Sequence, residues 1–259
     1  MFDDVTKEKG SHGRQWNVLH GGYFSNPAVA APLIEAILNA IDISGTEVIV
    51  DLGGGTGFLL HELINCDIVP DIRLVDVDIS ERQLAAICHN RIVPVHEELT
   101  GFMRGDADRE TKRFLFVMRS ALHYHGRKGL FPVLRHLSSQ MKSGEFFVHQ
   151  TACFERAVDA RLMNTLYTRM GTGKWYPTVK RLCECLESAG WKIMSVTPAV
   201  ALPLTSRELG RRYGLSKSRL LQIRDELADR FGERKNVFSF ASDGFIANLH
   251  YRIFTCVTV

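Results

Sequence analysis

The chain has no Cys-x-x-Cys pair. Its six cysteines are scattered at 66, 88, 153, 183, 185 and 256 of 259 residues. Cys183 and Cys185 stand two apart in an expected helix and so face different sides. This spacing excludes a zinc framework and a disulfide scaffold. It reads as six reduced, mostly buried thiols in a cytoplasmic protein, with no metal implied. The chain also lacks a strong charge of either sign: 32 Lys and Arg stand against 29 Asp and Glu, a net of +3. That balance does not by itself call for nucleic acid or a membrane surface. No uninterrupted apolar run approaches the roughly 18 residues of a membrane span. The opening MFDDVTKEKG has no apolar core, so no secretion signal is expected. Hydrophobic residues make up 45% and charged residues 24%, which excludes disorder for the bulk of the chain. The length fits one large domain or two small ones, and no internal repeat or low-complexity linker is visible.

What is present alternates between two periods. Residues 1–26 read as an irregular arm carrying Trp16, Tyr23 and Phe24. Pro27 opens a helix with Leu33, Ile34, Ile37, Leu38 and Ile41 at helical spacing. TEVIVDL at 46–52 predicts a strand, a glycine cluster follows, and FLLHELI continues as a helix. IRLVDVD at 72–78 predicts a second strand, followed by a helix over 80–90 with Ser80 as cap and Gln83 at the capping-box position. A short third strand is expected within 99–107. FLFVMRS at 114–120 predicts the fourth, a helix is expected at 129–141, and EFFVHQT at 145–151 predicts the fifth. Helices at 155–170 and 178–189, a strand at 191–196, charged helices over 204–232 and a closing alternating strand complete the reading. Strands alternating with helices imply a mostly parallel sheet covered on both faces.

The stretch Asp51-Leu-Gly53-Gly54-Gly55-Thr56-Gly57 carries the most chemistry. A strand must turn sharply into a helix, and glycines both permit positive φ and let a ligand lie against the backbone. The helix start offers free N–H groups, so the turn suits nucleotide-like ligands. It lacks the Gly-Lys-Ser/Thr of a phosphate-binding loop, and its spacing differs from G-x-G-x-x-G.

VIVDLGGGTG resembles the first motif of the class I S-adenosylmethionine-dependent methyltransferases, an acidic residue followed after one position by Gly-x-Gly-x-Gly. The resemblance continues in order. Val77-Asp78-Ile79-Ser80 stands where the family often reads VDIS, and Gly105-Asp106-Ala107 where it often reads Gly-Asp-Ala. Ala121-Leu122-His123-Tyr124 follows the fourth strand, where the family often has a leucine-histidine pair. Lys142-Ser143-Gly144-Glu145 stands for its Lys-Pro-Gly-Gly turn. The match spans about 45–196 and resumes at the last strand. The chain departs from the family before the fourth strand, where Lys112-Arg113-Phe114 replaces the usual aromatic-Asp.

The resemblance implies a Rossmann-like, seven-stranded α/β fold with an antiparallel last strand, helices on both faces and a helical cap. It implies S-adenosylmethionine as cofactor. Gly53, Gly55 and Gly57 would floor the site, and Asp51 would help hold the amino end of the methionine. Asp78 would accept the ribose hydroxyls, with Asp76, on the same strand face, in reserve. Asp106 would accept from the adenine amino group, and the arm with Tyr23 would close over the cofactor. The alternative for Asp78 is a cap on the next helix, and for Asp106 an ordinary exposed loop.

Ligands of open α/β sheets bind at the carboxyl ends of the strands, where His123, Tyr124, His125, His149 and Gln150 fall. Methyl transfer needs alignment and, for an oxygen or nitrogen acceptor, a base near neutral pKa. His123 is the first candidate and His149 the second, with a packing role as the alternative for each. Tyr124, Tyr167, Trp175 and Tyr176 are candidates to line the acceptor, or ordinary core. No signature of base, glutamine or cytosine C5 methylation is present, so O-, N-, S- and C-methylation stay open.

The expected plan is one domain: 1–44 arm and helix, 45–152 cofactor-binding core, 153–177 acceptor-covering segment, 178–203 helix and strand, 204–245 helical insertion and 246–259 last strand. The reading is methyl transfer to a small organic acceptor, without membrane and with a homodimer as an option. The second reading is nucleic-acid binding or modification. TSRELGRRYGLSKSRLLQIRDEL at 205–227 has the caps, glycine turn and basic residues of a helix-turn-helix. A third is a cofactor-binding protein that transfers no methyl group.

Overall fold

Asn26 caps the first helix, its Oδ1 accepting from Ala28 N at 2.9 Å, and Pro27 supplies a first-turn residue that has no N–H to satisfy. Helix α1 (Pro27–Ser44) ends at Gly45, which is left-handed at φ +62°. The computed structural model describes residues 19–66, 71–109, 112–241 and 243–259; Trp16 lies outside them. By length and composition α1 could cross a membrane, with a mean hydropathy of 1.4 over 18 residues. It instead lays Ala30, Leu33, Ile37 and Ala40 on the strands Phe146–Ala152 and Gly244–Thr258 of the sheet as a core helix.

Eight strands form one sheet in the order β3-β2-β1-β4-β5-β8-β6, with β7 pairing on β8. The strands are β1 (Val48–Leu52), β2 (Arg73–Asp78), β3 (Ile92–His96), β4 (Phe114–Arg119), β5 (Phe146–Ala152), β6 (Trp191–Thr205), β7 (Phe238–Ala241) and β8 (Gly244–Thr258). The first five are parallel, and β8 runs antiparallel between β5 and β6. The interior strands β1 and β5 are buried throughout, as apolar strands covered on both faces must be. The order reverses between β1 and β4, which creates a switch-point crevice at their carboxyl ends.

The helices are α2 (Phe58–Asn65), α3 (Glu81–Leu84), α4 (Arg104–Ala107), α5 (Gly126–Ser139), α6 (Ala157–Arg169), α7 (Val179–Ser188), α8 (Ser206–Tyr213) and α9 (Lys217–Phe231). Strand β8 starts well before it reaches β5, since Tyr251 pairs with Ala152 at the end of β5. The segment 244–250, with the last part of β6 and all of β7, therefore overhangs the carboxyl end of the sheet. An apolar cluster that includes Met163, Leu166, Leu209, Ile223, Leu227 and Phe238 packs α6, α8 and α9 onto that overhang.

Three expectations are corrected. The third strand is β3 at 92–96, not within 99–107; Pro94 disguises it, and an edge strand tolerates proline because one side needs no N–H. Residues 104–107 form the single turn α4. The helix after β2 is only Glu81–Leu84, and the Ser80 side chain makes no cap bond. The sheet has eight strands rather than seven because β7 forms within 204–245.

Opposite the crevice, Glu145 staples the amino end. It accepts from Arg104 Nη1 at 2.6 Å and Nη2 at 2.8 Å, and from the backbone N–H of Lys142 at 2.7 Å and Phe114 at 2.9 Å. These bonds hold its carboxyl below the usual carboxylate range despite burial, which acts the other way.

Candidate cofactor and acceptor site

The turn after β1 exists because its glycines allow it. Gly53, Gly55 and Gly57 all have φ between +71° and +76°, a region that costs an L side chain strain. Space is equally restrictive. A Cβ on Gly54 would stand 2.5 Å from Asp76 Oδ2, one on Gly53 3.0 Å from Ala121 Cβ, and one on Gly55 would overlap Gln83 Oε1. Gln83 is thus a support under the turn, not a helix cap.

Three carboxyl groups gather beneath it. Asp51 and Asp76 are register partners on β1 and β2, and Asp78 shares the Asp76 face. Asp51 is 1% exposed, and neither of its carboxyl oxygens has a hydrogen-bond partner. Burial, then the charge of Asp78, push its pKa up to about 7, against the opposing pull of Arg119. Burial, then Asp51 and Asp78, raise Asp76 well above the carboxylate range. Asp78 accepts from Ser80 N at 2.7 Å, so it orders the helix start while its other oxygen lies beside Gly55. Among the described residues no group of three or more His, Cys, Asp or Glu is placed to hold a metal.

Arg119 closes β4 and faces this group. Its guanidinium donates to the carbonyls of Phe24 at 3.1 Å and Tyr23 at 3.2 Å, while Nε has no partner. The rings of Tyr23, Phe24 and Phe58 stand 5.5–5.6 Å from it. Tyr23 donates to Val200 O at 2.6 Å and accepts from Gln150 Nε2 at 3.0 Å. Gln150 Oε1 is left unpartnered. The 3-10 helix at Leu19–Ser25 is thereby tied to the carboxyl ends of β4 and β5. Ser120, next in the chain, has φ +62°, the one positive φ outside glycine among the described residues. Its hydroxyl lies 2.8 Å from Tyr251 Oη. Strain of this kind persists where the surroundings enforce it.

Beyond Ser120 the chain turns at 122–125. His123 is buried, its ring 4.2 Å from Tyr124 and stacked at 5.3 Å on Tyr176. Tyr167 meets Tyr176 edge-on at 4.8 Å. Lys174, also buried, donates to Tyr213 Oη at 2.8 Å and lies 4.7 Å from the Tyr124 ring. Arg212 Nη2 reaches Tyr124 Oη at 3.4 Å. Tyrosines 23, 124, 167, 176, 213 and 251 are all the tyrosines of the chain, and each lies in this linked group of contacts at the carboxyl side of the sheet.

Three proposed site residues lie elsewhere. His149 points to the opposite face of β5, stacked between Phe147 at 4.5 Å and Phe254 at 5.0 Å, with Nδ1 2.7 Å from Thr151 Oγ1. Burial lowers its pKa to about 3; it is a neutral core histidine. Asp106 is exposed on α4 and spends Oδ2 on Met103 N at 2.7 Å. The carboxylates at the end of β3 are Glu97 and Glu98, hidden from sequence reading with the strand itself. Trp175 packs into the core under α5 and α7, and its backbone N–H donates to the His123 carbonyl at 3.1 Å. Sequence reading placed Gln150 at its strand end but missed Arg119 and Lys174. The signal for Arg119 was a cation closing an otherwise apolar strand, FLFVMR.

No family model and no curated relative matches the chain by sequence. Solved structures do match by shape. A Bacillus halodurans protein provisionally described as a methyltransferase superposes with a TM-score of 0.66 at 13% identity, over 88% of this chain and 98% of that one. Human N-acetylserotonin methyltransferase in complex with SAM gives 0.56 at 15%, over 99% of this chain and 58% of that one. The [4+2]-cyclase SpnF gives 0.54 at 14%, over 88% and 81%. The chain has the Rossmann-like fold of the S-adenosylmethionine-dependent methyltransferases.

Proposed function

We propose that the protein transfers a methyl group from S-adenosylmethionine to a small organic acceptor. The observation that carries this reading is a pair of buried, opposite, unsatisfied groups at the glycine turn: both oxygens of Asp51 and Nε of Arg119. Buried polar atoms without partners are costly, and together these match the ammonium and carboxylate of an amino acid. The methionine half of the cofactor is such a zwitterion. Asp78 beside Gly55 suits ribose hydroxyls, with Glu97 and Glu98 at the next strand end toward the base.

S-adenosylmethionine held there would supply an electrophilic methyl group on a sulfonium and would leave as S-adenosylhomocysteine. The protein's part is alignment and exclusion of water. The Tyr23–Phe24 turn covers Arg119, and Ser120 fixes the path of the chain from β4 to His123. His123 is the base candidate for an acceptor hydroxyl or amine, taking the proton as the methyl arrives. Its stacking on Tyr176 fixes its ring plane.

Calorimetric titration with S-adenosylmethionine and S-adenosylhomocysteine tests the cofactor. Binding is expected for the natural chain and not for Gly55→Arg, whose side chain has no room beside Gln83. Normal binding by that variant sinks the site assignment. The fold likeness to a cyclase supports a second reading, cofactor binding without transfer, and product formation from labelled cofactor separates the two. Turnover unchanged in His123→Ala would leave alignment as the whole of catalysis.

A further inference from the structure

Two features outside the crevice are complementary in charge and lie on opposite faces of the sheet. The first is a groove of about 640 Å³ between α1 and α2. Ala28, Ala31 and Leu38 give it an apolar lining, and Glu35 and Glu62 line it with no Lys or Arg beside them. Glu35 is exposed and forms no ion pair among the described residues. The second is the outer stripe of α5. Arg127, Phe131 and Arg135 stand at i, i+4 and i+8, so they share one face over about 12 Å. All three are exposed, Phe131 at 42%. Neither arginine forms an ion pair among the described residues. An exposed aromatic ring between two arginines has the composition of an interface anchor. The inner side of α1 packs with Ile49, Leu115 and Val148, and that of α5 with Val48, Phe114 and Phe147. Successive residues of a strand point to opposite faces, so the groove and the stripe face away from each other.

We propose that α5 of one copy of this chain docks in the α1–α2 groove of another, so that copies join head to tail. Phe131 fills the apolar part of the groove, and Arg127 and Arg135 meet Glu35 and Glu62. Burial of the ring supplies most of the attraction, and the charges at the rim select the partner and its orientation. Other pairings of these two features fail on charge. Groove against groove sets carboxylates against carboxylates, and α5 against α5 sets arginines against arginines. A two-fold dimer makes each contact twice, which surfaces on opposite faces of the sheet cannot do. Each copy added therefore leaves one groove and one stripe open, and assembly continues as concentration rises. None of these residues belongs to the glycine turn, so the contact stands whatever the crevice binds.

The experiment is sedimentation velocity of the full chain from about 10 to about 500 μM, where a contact of small area associates. In about 50 mM salt the average mass is expected to climb past twice that of the monomer, and in about 500 mM salt to fall back toward it. Two charge-reversed chains should each stay monomeric: one with Glu35→Lys and Glu62→Lys, the other with Arg127→Glu and Arg135→Glu. Mixed in equal amounts they should assemble again, because every stripe then finds a groove of opposite sign, and this recovery shows that both have folded. Phe131→Ser, which leaves all the charges in place, should weaken assembly about ten-fold or more. A monomer at every concentration would overturn the proposal. So would a mass that levels off at twice the monomer, a mixture that stays monomeric, or assembly unchanged by the charge reversals or by Phe131→Ser.

Discussion

A single carboxyl group shows how function strains this molecule. Asp51 sits at the end of a strand whose residues are all buried, where an apolar side chain would be more stable. Its pKa is about 7 when folded, against about 3.9 when unfolded. The folded chain therefore binds more protons between those values, and stability falls as pH rises from about 4 to about 7. Asp51→Asn should remove this penalty. At pH 8 the ligand-free variant should be more stable by up to about 4 kcal/mol, read as a higher denaturant midpoint. The same variant should lose S-adenosylmethionine binding. In the natural chain affinity should fall below pH 7, approaching about ten-fold per unit, as Asp51 takes up a proton that the ligand must displace. A flat affinity profile from pH 5.5 to 8 would remove Asp51 from the site. Asp51 and the glycines were legible in the sequence because strand, acid and glycine turn are contiguous. Arg119 and Lys174 were not, because their partners lie far away in the chain and only folding makes them neighbours.

At the scale of elements, legibility followed hydrophobic pattern and failed where pattern was weak. Strands β1, β2, β4 and β5 were readable because continuous β-branched and aromatic runs are what a doubly covered sheet demands. Strand β3 was missed because its burial is partial and Pro94 interrupts it. The strand-end place expected for Asp106 went with it, since β3 is followed by Glu97 and Glu98. Residues 99–107 that mimicked a strand serve another purpose: they bring Arg104 to Glu145. Glu145 is 1% exposed, so replacing it leaves the Arg104 charge poorly compensated. Glu145→Gln should cost about 3 kcal/mol, as does breaking other buried pairs. The pH dependence has the opposite sign to that of Asp51. The folded pKa is depressed, so the staple contributes fully above about pH 4.3 and is lost as pH falls through its lower folded value. Acid unfolding of Glu145→Gln, measured relative to its own pH 7 stability, should be shallower than that of the natural chain. Cofactor binding at pH 7.5 should be unaffected, since the staple lies at the far end of the sheet.

For the whole molecule, the overhang of β6 and β8 decides what the helix-turn-helix-like segment is. The sequence features are real: Thr205 and Ser216 cap their helices and Gly214 turns at φ +65°. Their setting is different. A recognition helix must offer its outer face to a groove, but the exposed face of α9 mixes Lys217, Arg219 and Arg230 with Ser218, Gln222, Asp225 and Asp229, so the acids dilute its positive charge. Two of its four basic residues are tied to the protein: Arg219 donates to Arg169 O and Arg224 to Asp225 and Ala241 O. The inner face packs Leu220, Ile223 and Leu227 over the carboxyl side of the sheet, and α8 turns Arg212 and Tyr213 toward Tyr124. The segment is built as a roof over the crevice. A duplex of about 20 base pairs should therefore bind no tighter than non-specific contact allows, weaker than about 1 μM, with a shallow salt dependence. Arg207 and Arg211 on α8, with Lys217 and Arg230 on α9, are exposed and are residues whose replacement would weaken such contact. Sub-micromolar binding that collapses between 50 and 200 mM salt would restore the nucleic-acid reading. In that case acceptor selectivity should survive Arg207→Gln and Arg211→Gln together, because the roof's inward side is carried by different residues from its outward one.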